Sequence, residues 1–213
     1  MNLRTATALF LLAAGAARGD SAGVLGSVPI SRMAAAPIAV EKYAGSISGR
    51  VNPAPSRIAG VWLESAATRG LAAGSARMEQ EGYQFRTGLL VVQTGTRVEF
   101  PNRDDDYHNV FSLSKTKRFD LGRYRKDEAP AAVVFDKAGV VRLFCEIHQH
   151  MRSVVLVVDS PYFTTTDESG RFQLRGVPPG AYTLKAWLDE KHTWEQAVTV
   201  ARGRGVEVAL EEK

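Results

Sequence analysis

Two short stretches carry the side chains with the most chemistry to offer. The first reads Val140-Val141-Arg142-Leu143-Phe144-Cys145-Glu146-Ile147-His148-Gln149-His150-Met151, in which an apolar run delivers Cys145 into a loop with Cys-x-x-His-x-x-Met spacing. The second, Asn102-Arg103-Asp104-Asp105-Asp106-Tyr107-His108-Asn109-Val110, places His108 just before another apolar run. His108, Cys145, His148 and Met151 together offer a thiolate, imidazoles and a thioether. A thiolate and two imidazoles in a plane, with a weak axial thioether, suit copper that changes oxidation state with little rearrangement. Zinc prefers strong tetrahedral ligands and is poorly served by methionine.

Each residue alone has a plainer reading. A lone histidine is commonly a surface or satisfied core residue, a lone cysteine a small inert hydrophobe and a methionine a gap filler. These readings fail jointly, because three of only four histidines, the single cysteine and a methionine fall at ligand spacing. His192 lies outside the cluster and reads as a surface histidine. His150, beside Met151, is an alternative ligand; adjacent side chains of an extended segment point in opposite directions, which favours Met151. Asp104, Asp105 and Asp106 read as an acidic turn rather than a second metal site.

The elements that must position these residues are short β-type runs separated by Gly, Pro, Asn and Asp, the pattern of an all-β protein. Strands are expected near Ser46 to Val51, Ile58 to Leu63, Leu89 to Gln93, Val110 to Leu113, Val140 to Cys145 and Ser153 to Val158, with more toward the C-terminus. Only Leu71 to Glu81 has a helical pattern, and Gly74 weakens it.

A His-Asn pair at the start of a strand, a strand ending in Cys145 and the Cys-x-x-His-x-x-Met loop resemble the cupredoxins, the blue copper proteins of the plastocyanin and amicyanin kind. The short interval from His148 to Met151 is similar to that of amicyanin, and the resemblance covers about Arg77 to Tyr162. It implies a Greek-key β-sandwich with one type 1 copper ion. His108, Cys145 and His148 would be equatorial ligands, Met151 the axial one, and the backbone of Asn109 would hydrogen-bond the cysteine sulfur and tune the metal.

Further on, Asp167-Glu168-Ser169-Gly170 precedes one alternating strand, and Val177-Pro178-Pro179-Gly180 separates it from the next, giving a hairpin. This resembles the carboxypeptidase regulatory-like or transthyretin-like β-sandwich, an immunoglobulin-like fold that says little about function. Residues 43–65 and 163–213 are expected to form this second sandwich discontinuously, with a cupredoxin unit at 66–162 inserted between them. The rival arrangement is a simple tandem, the early strands serving the cupredoxin sheet. No nucleophile, base and orienting group are grouped in sequence, so the protein is not expected to be an enzyme. Trp62, Trp187 and Trp194 either pack in cores or offer a carbohydrate-binding face.

The 213 residues are 45% hydrophobic and 23% charged, which excludes a disordered or fibrous chain. The 27 basic and 23 acidic residues give +4, and no basic surface interleaved with aromatics points to nucleic acid. Residues 1–17 read as a signal peptide, with an apolar run too short for the ~20 residues of a membrane span. Residues 18–42 read as a flexible leader. Export to the periplasm or outside the cell, with no stable membrane insertion after cleavage, leaves Cys145 without a disulfide partner, so burial or a metal must hold it. Lys115, Lys117, Arg118, Arg123, Arg125 and Lys126 read as a solvated loop or as a patch that steers an acidic partner.

The expectation is an exported one-electron carrier. Its redox partner, a cytochrome or an oxidoreductase, would dock transiently on an apolar rim around Ile147 and Met151. The alternatives are a copper-binding handler or chaperone without electron transfer, and a structural or glycan-binding β-sandwich.

Overall fold

The computed structural model describes residues 22–30, 57–68, 70, 73–129 and 131–211. The short alternating runs give each strand one face to bury, and pairing gathers the strands into sheets that bury those faces against one another. In chain order the strands are β1 (Ala22–Ser27), β2 (Gly60–Glu64), β3 (Ser75–Arg77), β4 (Leu89–Gln93), β5 (Thr96–Glu99), β6 (His108–Leu113), β7 (Arg118–Tyr124), β8 (Ala132–Phe135), β9 (Gly139–Phe144), β10 (Arg152–Val158), β11 (Phe163–Thr165), β12 (Arg171–Val177), β13 (Gly180–Trp187), β14 (Thr193–Val200) and β15 (Val206–Ala209). The helical content of the described residues is a single 3-10 turn at Ala66–Thr68. The protein is all-β, and among the described residues no helix is long and apolar enough to cross a membrane.

The sheets have the orders β12-β1-β15, β11-β2-β13-β14, β4-β10-β9-β6-β7 and β3-β5-β8. They stack in that sequence. Val24, Val61, Leu63, Leu174, Leu184 and Val208 fill the space between the first two sheets. Leu89, Val91, Leu156 and Val158, with Trp62, Phe163 and Trp187 against them, join the second sheet to the third. Phe100, Phe135, Val141, Leu143 and Val155 lie between the third and fourth, in the core that also holds Cys145 and Met151. An ion pair between Arg142 of β9 and Glu190, in the loop after β13, adds a polar link across the middle junction.

The expected early strand near Ile58 to Leu63 appears as β2, and it pairs with β11 and β13 rather than with any strand of the site-bearing sheet. The strand expected at Ser46 to Val51 and the signal peptide at 1–17 lie outside the described residues.

Three expectations need correction. Ala22–Ser27, placed in a flexible leader, is the central strand of its sheet, antiparallel to β12 and parallel to β15. Ala22, Val24, Val28 and Ile30 are buried at alternate positions, and a Cβ on Gly26 would lie 2.2 Å from the carbonyl oxygen of Val208, so only glycine lets β15 approach. The rest of that leader, 18–21 and 31–42, is outside the described residues. The helical candidate at Leu71 to Glu81 holds strand β3 instead, paired in parallel with β5, so strand pairing overrides local propensity. The middle of the basic stretch, Arg118 to Tyr124, is strand β7 rather than loop, and Lys115, Lys117, Arg125 and Lys126 flank it. Lys117 pairs with Asp136, Arg123 with Glu146 and Lys126 with Asp105, which offsets much of its charge locally.

The tryptophans pack against hydrophobic cores, as one of the two readings expected. Trp194 is in the core between the first two sheets, and Trp62 and Trp187 are packed at the middle junction.

Candidate metal centre

Pairing of β9 with β10 through Phe144 and Arg152 closes Cys145 to Met151 into a tight loop. Inside it the Met151 N–H donates to the His148 carbonyl at 2.9 Å, and the Cys145 N–H donates to the Met151 carbonyl at 3.3 Å. The pairing of Phe111 with Phe144 sets the start of β6 beside this loop, and an irregularity in the β6–β7 register between Asn109 and Phe111 turns the strand there. Bulges of this kind re-aim side chains beside functional sites.

His108, Cys145 and His148 are thereby brought to one place: one donor atom from each lies within 4.8 Å of the others. His108 Nδ1 and His148 Nδ1 are 3.1 Å apart, and Cys145 Sγ is 3.9 Å from His148 Nδ1. His108 is fully buried and His148 half-buried. Met151 is 1% exposed and packs in the core directly behind the loop. His150 turns elsewhere; its Nε2 lies 2.8 Å from the carbonyl oxygen of Tyr83.

The thiol environment favours the thiolate. Burial is the largest single influence and raises the Cys145 pKa, but the neighbouring His108 and backbone N–H groups of Asn109, His148 and Ile147 outweigh it, leaving the thiol below its ordinary value. Asn109 also links strand to loop. Its amide donates to Asp120 Oδ1 at 2.7 Å and to the Gly122 carbonyl at 3.1 Å, while its Oδ1 accepts from the Glu146 N–H at 3.4 Å.

The imidazoles are held differently. Burial pushes His108 down, but the Cys145 thiolate and the Asp104 carboxylate together carry it above the ordinary histidine value. His148 is lowered, by burial first and then by repulsion from His108 and His150. His148 is therefore the more readily available as a neutral ligand.

The sequence reading missed Asp104 and Tyr83. Asp104 Oδ2 lies 2.8 Å from His108 Nε2, and its carboxylate also accepts the backbone N–H groups of Gly82 at 2.8 Å and Tyr83 at 3.0 Å. Burial raises the Asp104 carboxyl, but these hydrogen bonds hold it below its ordinary value. A carboxylate on the outer nitrogen of a histidine orients the ring and leaves the inner nitrogen free for a metal. The four-residue interval from Asp104 to His108 was the signal, hidden in an acidic run. The ring of Tyr83 packs edge-on against both His108 and His148.

At the surface, an open cleft of about 490 Å³ is lined by Asp106, Tyr107, Arg123, Ile147 and His148. The expected apolar rim is thus corrected: Met151 is buried, while Ile147 at 39% and Tyr107 at 46% exposure flank His148. His192, outside this region, lies 2.7 Å from Asp189 Oδ1.

A soft, readily ionised sulfur and two imidazoles with converging nitrogens can hold a transition metal, and thiolate with imidazole selects for copper over oxygen-loving cations.

Residues 152–211 match the family described as the carboxypeptidase regulatory-like domain. That match begins at β10, which here lies in the third sheet, and continues through the first two. No curated protein matches the chain. Among solved structures, the chain is similar to a purple cupredoxin from Nitrosopumilus maritimus, at 21% identity over 39% of this chain and 99% of that one, with a TM-score of 0.34. It is also similar to amicyanin from Paracoccus versutus, at 24% identity over 46% of this chain and 97% of that one, with a TM-score of 0.37.

Proposed function

We propose that this protein is an exported type 1 copper protein that carries one electron at a time between redox partners in the periplasm or outside the cell. The observation that supports this most directly is the convergence of His108, Cys145 and His148 donor atoms within 4.8 Å. His108, Cys145 and His148 would hold the metal together with Met151, and would supply it with a thiolate, two imidazoles and a thioether; His150, turned to the Tyr83 carbonyl, is left out of the set. Bound there, copper supplies a one-electron couple.

The chain's own groups do the rest. Asp104 orients His108, and backbone N–H groups hold the Cys145 sulfur as thiolate. The core around Met151 excludes water from the buried side of the site. His148, at the cleft with Tyr107 and Ile147, is the natural exit toward a partner, and a small apolar contact suits a transient redox encounter. The domain organisation belongs to the same proposal: residues 66–162 form a cupredoxin unit set into a carboxypeptidase regulatory-like sandwich built from 43–65 and 163–213, to which β1 adds the central strand of one sheet. The pairing of β2 with β13 supports it.

The test is an absorption spectrum of the copper-loaded full chain. An intense visible band that cycles reversibly with reductant and oxidant, and that Cys145→Ser abolishes, is the expected result. A wild-type protein that binds no copper overturns the reading, and a colourless site that takes Cu(I) alone points to a handler instead.

A further inference from the structure

We propose that Tyr83 is a positioning residue that braces both imidazoles from the outer side of the site; this rests on the copper reading above. Tyr83 touches neither reacting electron nor metal. It acts through His108 and His148.

The backbone makes the case first. Glu81 N–H donates to the Gln84 carbonyl at 2.9 Å, and Gly82 and Tyr83 between them have φ of 66° and 59°. Two consecutive positive φ values are what the central positions of a type I′ turn require, and those positions favour Gly and Asn. Tyr83 is the sole non-glycine among the described residues in the left-handed region. Such conformations persist where the surroundings over-determine them, and they concentrate at functional sites.

Every polar part of Tyr83 is tied to the metal centre. Its N–H donates to Asp104, the carboxylate that holds His108. Its carbonyl accepts from His150, inside the ligand loop. Its hydroxyl donates to Asp106 Oδ2 at 3.3 Å, on the lip of the cleft over His148. The ring stands nearly perpendicular to both imidazoles, with centroids 5.9 Å from His108 and 5.1 Å from His148. Edge-to-face contact at these separations is the favoured arrangement for aromatic pairs. A glycine would adopt this backbone without strain. What the tyrosine adds is a flat wall against which the half-buried His148 ring is set, joined to the same turn that fixes His108 through Asp104.

The experiment compares Tyr83→Gly and Tyr83→Phe with wild type in the full chain. Tyr83→Gly removes the ring and relieves the backbone, so the metal-free protein should melt at the same temperature or higher. Its copper affinity, measured by competition with a chelator, should fall about tenfold or more, as for loss of other groups that orient ligands. The visible band should shift, and the His148 ring resonances of the metal-free protein should broaden. Tyr83→Phe keeps the ring and should preserve affinity, band and resonances. Wild-type copper binding with an unchanged Tyr83→Gly site overturns the proposal while leaving the copper reading intact. Loss of the folded metal-free state in Tyr83→Gly, rescued in Tyr83→Phe, assigns the ring to packing and overturns it too. A wild-type protein without copper fails at the earlier step and takes this inference with it.

Discussion

His108 Nε2 lies 2.8 Å from Asp104 Oδ2, while Nδ1 of the same ring faces His148 Nδ1 at 3.1 Å. A hydrogen bond from Nε2–H to the carboxylate leaves Nδ1 as the lone-pair donor, beside His148 Nδ1 and the Cys145 sulfur. Removing that anchor should free the ring to rotate and to change tautomer. Asp104→Ala is expected to weaken copper binding by about 10–100-fold with the fold retained, read by chelator competition alongside a thermal melt. An affinity equal to wild type would mean that burial alone orients His108.

Met151 has two candidate jobs, core packing and axial ligation, and they separate on substitution. Leucine has nearly the same volume, so Met151→Leu should cost less than about 1.5 kcal/mol. It has no sulfur donor. The expected result is a stable protein that still binds copper, with an altered visible spectrum and a shifted reduction potential. Identical spectra and potentials for the two proteins would confine Met151 to the core.

Gly26 tests whether the N-terminal strand is structural. Its Cβ would meet the Val208 carbonyl oxygen at 2.2 Å and the Phe172 ring at 2.7 Å. A backbone atom cannot swing aside, so β1 would have to part from β15. Gly26→Ala is expected to cost about 1–3 kcal/mol in urea unfolding. No measurable change would return these residues to the status of a loose leader.

Asp167 predicts part of the acid limb of stability. Its carboxyl is held at about 2, against an ordinary 3.8, by the Ser169 hydroxyl and the backbone N–H of Arg171, with the Arg171 guanidinium adding to them. A lowered folded-state pKa contributes stability that is present above 3.8 and is lost as the pH falls from 3.8 toward 2. Asp167→Ala should therefore be less stable than wild type at neutral pH, and the difference should shrink across that interval. Parallel melting curves for the two proteins from pH 6 to about 2 would refute the assignment.

Local pattern carried much of the fold. β4 and β8 fall on apolar runs bounded by turn residues, and β12 and β13 flank a Pro-Pro-Gly turn, so their existence follows from alternation and turn chemistry. β1 escaped because its alternation runs through Ala22 and Gly26, residues with little hydrophobic signal. β7 escaped because its side chains alternate charged with apolar within a run so basic that it reads as solvated; half of the run's cations, Lys117, Arg123 and Lys126, find carboxylates in loops between other strands. Asp104 and Tyr83 escaped for a different reason. Tyr83 lies 62 positions before Cys145 in sequence, and nothing in a linear pattern says that a turn will fold over a histidine.

What the sequence alone determined is the inventory and order of donors: a strand leading into Cys145, His148 three residues on, Met151 three further, and His108 ahead of a separate strand. Spacing within one loop is a local property, and a tight turn between paired strands converts it directly into geometry. Tertiary structure alone decided which groups surround those donors. Asp104 became an orienting carboxylate, Tyr83 a wall, His150 a strut and Met151 a buried rather than a rim residue. These outcomes depend on how the sheets stack, because stacking buries the most apolar surface and so sets which distant turns meet at the edge of the site.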